Sequence, residues 1–376
     1  MPGKLKEKIE PTASKVMHAP RNLTIEITSR CNLRCRYCYF FNNPAIEYRD
    51  LPTDEWLKFF DELGSLGVMR ITLAGGEPFI RDDLPALLEG TVRNRMRFSF
   101  LSNGALIDDE IAAFIAQTGR CDYIQVSVDG SCAEVHDSCR GKGSFEGMIR
   151  GIRTLQRHRI YVAVRVTIHR NNVHDLENIA HFLLDDLGLP DFGTNSAGYM
   201  GTCCVNADDV LLNIEERKGA MATLLRLTAK YKGRISATAG PLADGRMWHR
   251  MEEARSQGKP AFHNGGRLTA CGCPSNKISV RADGVIVPCS MLSHIKLGRI
   301  NHDSLAEIWQ NSIALNQLRN RHTIPLTGFE FCAGCSYIPY CTGNCPGLAY
   351  TLTGIVDHPS PDACLRRFLD DGGTIE

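Results

Sequence analysis

Three cysteines stand close together early in the chain, in CNLRCRYC: Cys31, Cys35 and Cys38, a C-x3-C-x2-C spacing. Three thiolates on one tight loop can hold three corners of a cubic [4Fe–4S] cluster, leaving the fourth iron without a protein ligand. An open metal position is what a site needs in order to bind a substrate or cosubstrate. Zinc is the rival occupant, but it usually takes paired C-x2-C or Cys/His sets, and no second pair lies nearby in sequence. A second group lies downstream. Cys273, Gly284 and Cys289 give C-x10-G-x4-C, Cys332, Cys335, Cys341 and Cys345 give C-x2-C-x5-C-x3-C, and Cys364 follows. With Cys271 these make eight thiolates, enough for two more four-cysteine sites. Cys332 and Cys335 alone would also suit a zinc ribbon.

The elements around these residues must place them. LTIEIT (23–28) reads as a strand that runs directly into the first cysteines. TDEWLKFFDELGSLG (53–67) reads as a helix, with Thr53 as N-cap, apolar residues three and four apart and a closing glycine. RITLA (70–74) is a strand ending in GGEP. RFSFLS (97–102), YIQVSVDG (123–130), YVAVRVTI (161–168) and DFGTNSA (191–197) complete six predicted strands. Helical patterns in DLPALLEGTVR, DDEIAAFIAQTG, SFEGMIRGIRTLQRH and VHDLENIAHFLLDDLG separate them. Such alternation implies βα units and a parallel sheet, either a (βα)6 partial barrel or an open doubly wound sheet.

Further on, IEERKGAMATLLRLTAKYKG and RMWHRMEEARSQG read as helical. KISVRADGVIVPC reads as a hairpin turning at Asp283-Gly284, and SLAEIWQNSIALNQLRNR (304–321) as one helix. The remainder is loop-like and rich in Cys, Gly and Pro, so metal centres would order it. The predicted organisation is a polar arm (1–21), an α/β core (22–200), a bridging helical region (201–270) and a Cys-rich domain (271–376).

Composition narrows the setting. The chain has 376 residues, suiting one large α/β domain plus a smaller one. Lys+Arg is 43 and Asp+Glu is 42, a net charge of +1 that argues against a nucleic-acid partner. No apolar run approaches the roughly 18–20 residues of a membrane span, and the N-terminus has no apolar signal core, so a cytoplasmic location is expected. Sixteen cysteines in a reducing compartment point to metal or catalysis rather than disulfides. Five of them, Cys121, Cys132, Cys139, Cys203 and Cys204, belong to neither group; Cys203 and Cys204 read most simply as buried small hydrophobes.

The first cysteine motif, with Tyr37 as the aromatic before its last Cys, resembles that of the radical S-adenosylmethionine (radical SAM) superfamily. The resemblance spans residues 22–200 and implies the (βα)6 partial TIM barrel. It also implies that the open iron chelates SAM, which is cleaved to a 5′-deoxyadenosyl radical that abstracts hydrogen from substrate. Gly75, Gly76 and Glu77 resemble the family's GGE motif, in which Gly lets backbone approach a ligand and Glu accepts from an ammonium group. Ser102 and Asn103, and then Ser127 and Asp129, resemble positions near the adenosine and ribose. Arg140 resembles an arginine that contacts the SAM carboxylate. Taken alone, GGEP and Asp129-Gly130 are turns and Arg140 is a solvated surface residue.

The downstream spacing resembles the SPASM extension without a mismatch. The resemblance assigns Cys273, Cys289 and Cys345 to one auxiliary [4Fe–4S] cluster and Cys332, Cys335, Cys341 and Cys364 to another. Cys271 is either the fourth ligand of the former, or that iron is open. SPASM proteins mostly resemble enzymes that modify peptides or proteins, and a smaller group acts on tetrapyrroles in haem synthesis. Sulfatase-maturating enzymes carry an Asp directly after the Cys of G-x4-C; Ser290 stands there in this chain, which counts against formylglycine formation. Only about 22 residues precede the first strand, too few for a leader-peptide-binding domain. The expected function is a radical SAM oxidoreductase acting on a ribosomally made peptide or protein, with an external low-potential carrier such as ferredoxin or flavodoxin. The alternative is a tetrapyrrole or other small-molecule substrate. A bare iron–sulfur electron carrier is a distant third, because it would have no use for Glu77, Ser127, Asp129 and Arg140.

Overall fold

The computed structural model describes residues 16–259, 262–269 and 272–375. Most of the N-terminal arm and Cys271 lie outside the described residues. Strands β1 (Asn22–Thr28), β2 (Arg70–Gly75), β3 (Arg97–Ser102), β4 (Cys121–Ser127), β5 (Val162–Ile168) and β6 (Phe192–Ser196) lie side by side in chain order, each pair parallel. Helices α1 (Thr53–Ser65), α2 (Leu84–Arg93), α3 (Asp109–Thr118), α4 (Ala133–Arg140), α5 (Ser144–Arg157) and α6 (Leu176–His181) fill the crossovers. Consecutive parallel order with helical crossovers is the partial barrel expected from the sequence. Among the described residues no helix is long and apolar enough to cross a membrane.

The strands' two faces differ in kind. Along β5, Val162, Val164, Val166 and Ile168 are buried in the main core, which also takes Met148, Ile152 and Leu155 of α5. The alternate residues Ala163, Arg165 and Thr167 are half-buried on the inner face. On β4, Tyr123, Gln125 and Ser127 alternate in the same way with buried Ile124 and Val126. The period of two puts apolar residues under the helices and polar ones inside the barrel. On α1, Trp56, Phe59, Phe60 and Leu63 are buried at helical spacing. Each such side chain contributes about 1.5–3 kcal/mol by leaving water. Packing of α5 is close enough to require glycine: a Cβ on Gly151 would sit 2.1 Å from the Gly104 carbonyl oxygen.

Four features depart from the sequence expectation. A seventh strand, β7 (Ile235–Ala237), extends the sheet parallel to β6. The downstream hairpin, β8 (Lys277–Val280) and β9 (Val285–Val287), turns at Gly284 as expected, with φ +84°. Its first strand pairs in parallel with β1, so the hairpin and the short β10 (Gly298–Arg299) continue the barrel sheet. Buried Arg281 fastens this join, donating to the Ala45 carbonyl at 2.6 Å and the Ser293 carbonyl at 3.2 Å and pairing with Asp283. The third departure is the helix expected over 304–321. It is broken into Leu305–Asn311 and Ile313–Asn320, because Ser312 caps the second piece through the Leu315 amide. The first piece holds the arm, with Trp309 Nε1 and Gln310 Nε2 both donating to the Met17 carbonyl. Thr53 is the first residue of α1 rather than its cap, and its hydroxyl bonds to Asp83.

Candidate functional site

The loop leaving β1 carries Cys31, Cys35 and Cys38, each half-buried. Burial pushes the Cys35 thiol up to about 12; Cys38, Asp129 and Cys31 add to this and Arg140 opposes it. Cys31 is raised too, first by burial, and both Glu77 and Cys38 bear on it. The thiols bear on one another's charge, so they lie close together, as three ligands of one metal–sulfur core must. The loop is braced from the far side of the barrel. Thr202 Oγ1 donates to the Cys35 and Cys38 carbonyls at 2.9 and 3.1 Å, and its amide also bonds to Cys38 O at 2.9 Å. A Cβ on Gly201 would lie 2.3 Å from Cys38 O. Beside it, Cys203 is buried against Cys139 and Val210, as a small hydrophobe would be, whereas Cys204 is only half-buried, unlike the expectation for the pair.

The GGE turn packs directly on this loop. The Gly76 and Glu77 amides donate to the Thr28 and Arg30 carbonyls, both at 2.8 Å. A Cβ on Gly75 would meet Thr28 O at 2.2 Å and one on Gly76 would meet Arg30 O at 2.1 Å, so both positions exclude side chains. Glu77 is buried and receives Ser102 Oγ on one oxygen and the Asn103 amide on the other, each at 2.8 Å. Burial outweighs these bonds and lifts its carboxyl to about 7. Asn103 Nδ2 reaches the Cys31 thiol at 4.0 Å and Asn32 Oδ1 at 2.8 Å. Gly75, Gly76, Glu77, Ser102 and Asn103 are therefore one unit around Cys31.

On the next strand, Ser127 is half-buried at the end of β4. Asp129 is fully buried, and protein groups occupy both of its oxygens: Oδ1 takes the Thr167 amide at 2.7 Å, and Oδ2 takes Arg140 Nε at 2.5 Å and the Tyr37 hydroxyl. Arg140 in turn reaches the Cys35 thiol with Nη1 at 4.0 Å. Arg140 is thus buried rather than solvated. Burial opposes the Asp129 charge, but Arg140, His169, His136 and Tyr37 together hold its carboxyl below the usual range. His169 stacks on Tyr37 with ring centroids 5.4 Å apart, and its Nε2 is buried without a hydrogen bond. Burial lowers it to about 4, so it is neutral at pH 7.

Thr202, His169 and Glu26 stand outside every cysteine and glycine motif of the sequence. Glu26, on β1, is buried, takes a hydrogen bond from the Tyr39 hydroxyl at 3.3 Å, and leaves Oε2 without a partner. Burial lifts it to about 7 against Ser290, Tyr39 and Arg281. A carboxylate inside an otherwise apolar strand was the visible signal.

The downstream cysteines gather as well. Cys332, Cys335, Cys341 and Cys364 line one cavity with Met251, Tyr337 and Leu365. Burial pushes Cys332 up to about 11, and Cys341, Cys364 and Cys335 add to the rise. Cys341 is likewise at about 11. Four thiols converging in one apolar recess form a donor set suited to a cluster. Cys273 opens the turn into β8, and Cys289 lies just past β9, the antiparallel partner of β8. Cys345 caps the helix Pro346–Thr353, which packs on the turn Ser290–Leu292 through Gly347 and Met291.

Residues 25–183 match the family model of the Radical SAM superfamily, and residues 271–336 match SPASM, an iron–sulfur cluster-binding domain. The chain is 30% identical to the Fe-coproporphyrin III synthase of Methanosarcina barkeri (strain Fusaro / DSM 804) over 356 residues, covering 91% of this chain and 87% of that protein. It is 26% identical to the PqqA peptide cyclase of Granulibacter bethesdensis (strain ATCC BAA-1260 / CGDNIH1) over 355 residues, covering 92% and 87%. Its fold is similar to that of Streptococcus suis SuiB bound to S-adenosylmethionine, with a TM-score of 0.68 at 13% identity, covering 93% of this chain and 78% of that one. The chain belongs to the radical SAM superfamily, with a first domain that binds SAM and a [4Fe–4S] cluster and a SPASM domain that binds auxiliary iron–sulfur clusters.

Proposed function

We propose that the protein is a cytosolic oxidoreductase that removes hydrogen from a peptide or protein substrate inside the barrel. The observation that carries this is the inner wall: Tyr123, Gln125, Ser127, Arg165, Thr167 and Asn195 are half-buried and polar. Such groups pair with peptide amides and polar side chains, whereas a flat macrocycle asks for broad apolar and aromatic surface. The PqqA peptide cyclase relative supports the same substrate class. The Fe-coproporphyrin III synthase relative favours a tetrapyrrole as the second reading.

When bound, SAM and the open-iron cluster supply a 5′-deoxyadenosyl radical that takes a hydrogen atom from the substrate. Cys31, Cys35 and Cys38 would hold that cluster. Glu77, held by Ser102 and the Asn103 amide, would accept the SAM ammonium group. Gly75 and Gly76 keep backbone close at this point, and Ser127 would face the nucleoside. Asp129 would fix Arg140 and Tyr37 beside the cysteine loop. Cys332, Cys335, Cys341 and Cys364 would hold one auxiliary cluster, and Cys273, Cys289 and Cys345 the other, with Cys271 as a further ligand or its iron open. Three clusters in all would let the electron lost by the substrate leave to an external ferredoxin or flavodoxin. The boundaries at 21, 200 and 270 belong to the same proposal.

The test is deuterium transfer. The reconstituted enzyme is incubated with SAM, reductant and a deuterated pool of cellular peptides. Deuterium is expected in 5′-deoxyadenosine and is expected to vanish when the pool is first digested with protease. Transfer from a deuterated tetrapyrrole fraction instead would replace the peptide reading with the second one.

A further inference from the structure

Arg165 is a cation inside the barrel without a counter-ion among the described residues. It stands on β5 between Ala163 and Thr167, half-buried on the inner face. Its Nε donates to Gln125 Oε1 at 3.4 Å and its Nη1 to the Thr194 carbonyl at 3.2 Å, both long contacts to neutral acceptors. No described carboxylate forms an ion pair with it. Among the described residues, buried Arg81, Arg140 and Arg281 and half-buried Arg217 pair with Asp83, Asp129, Asp283 and Asp244, whereas buried Arg319 bonds to the neutral Pro274 carbonyl and Asn316 and stacks on Trp309. Burial lowers the Arg165 pKa, and the nearby Tyr123 opposes this.

The surroundings are shaped for this guanidinium. A Cβ on Gly193, the residue facing Arg165 in register on β6, would lie 2.9 Å from Nη1. Glycine there leaves room for the side chain to lie across the strand. Two residues along the same face of β6, Asn195 Oδ1 is buried without a hydrogen bond. On β4, Ser127 faces Arg165 in register. The guanidinium's fork of donors matches the geometry of a carboxylate, while Asn195 Oδ1, an acceptor, would take an N–H or O–H elsewhere on the same ligand.

We propose that Arg165 binds a carboxylate of the substrate within the barrel. This rests on the reading that the barrel holds the substrate, and it names the substrate's chemistry: an acid, either a peptide carboxylate or a tetrapyrrole propionate.

The test uses the cluster-loaded protein with SAM and measures binding of three probes. These are propionate, the peptide acetyl-Gly-Glu-Gly-amide beside its Gln counterpart, and mesoporphyrin IX beside its dimethyl ester. Carboxylate forms are expected to bind and neutral counterparts to fail. Arg165→Gln should weaken carboxylate binding at least roughly tenfold and leave SAM affinity and iron content unchanged, with Arg165→Lys in between. As a readout that needs no variant, propionate should protect Arg165 of the unaltered protein from phenylglyoxal. Lack of carboxylate preference, lack of protection, or an equal loss of SAM affinity in Arg165→Gln would each overturn the proposal. Arg165-dependent binding of mesoporphyrin without binding of the Glu peptide would keep the carboxylate site and overturn the peptide reading.

Discussion

Arg140 and Asp129 form a buried ion pair, with Arg140 Nε 2.5 Å from Asp129 Oδ2, and the same carboxylate holds Tyr37 and the Thr167 amide. The pair joins three segments: the cysteine loop through Tyr37, strand β5 through Thr167, and helix α4 through Arg140. Asp129→Asn leaves Arg140 buried without its charge partner. The expected cost is about 3–5 kcal/mol in denaturant unfolding, the usual penalty for stripping one member of a buried pair. A loss below about 1 kcal/mol would mean that Arg140 finds water on its own.

Glu26 makes stability fall as pH rises. Its pKa moves from 4.5 when unfolded to about 7 when folded, mainly through burial. The group is raised, so its contribution is full below 4.5 and is lost as pH climbs through 7. The span corresponds to about 3 kcal/mol. Glu26→Gln stays neutral, so its stability relative to the parent protein should improve between pH 5 and pH 8. Thermal unfolding at both pH values checks this, and a difference that does not change with pH would contradict it.

Gly151→Ala should cost about 1–3 kcal/mol, because the new methyl lands on the Gly104 carbonyl in a crossing with no slack. Gly119→Ala, with nothing within 4 Å but φ +59°, should cost only the backbone strain of about 1 kcal/mol. Equal losses in denaturant melts would show that crowding at α5 is not what matters.

Cys35→Ala should abolish 5′-deoxyadenosine formation and leave the auxiliary iron in place, since Cys332, Cys335, Cys341 and Cys364 line a separate recess. Iron analysis and chromatography of the SAM reaction check the two halves. Continued SAM cleavage would show that the catalytic cluster is held elsewhere.

The six parallel strands are legible in the sequence because each pairs an apolar alternation with a flanking helix. Strand β7 is not, because Ile235–Ala237 is three residues long and its neighbours settle its conformation. The hairpin at Gly284 is legible from its turn, but nothing local says that Lys277–Val280 pairs with β1, since that contact is long-range. At the site, cysteine spacing announces both thiol sets. The burial of Arg140 and the engagement of both Asp129 oxygens do not show, because they depend on helix α4 returning over the strand ends. Thr202 is equally silent in sequence, although it bonds to two carbonyls of the cysteine loop.

The most direct measurement is anaerobic reconstitution followed by an iron and sulfide count, with 5′-deoxyadenosine assayed after adding SAM and reductant. About 12 irons per chain, four for each cysteine-held cubane, together with 5′-deoxyadenosine, is the predicted result. About four irons, or zinc in the downstream cysteines, would contradict the account of the C-terminal domain and remove its electron route.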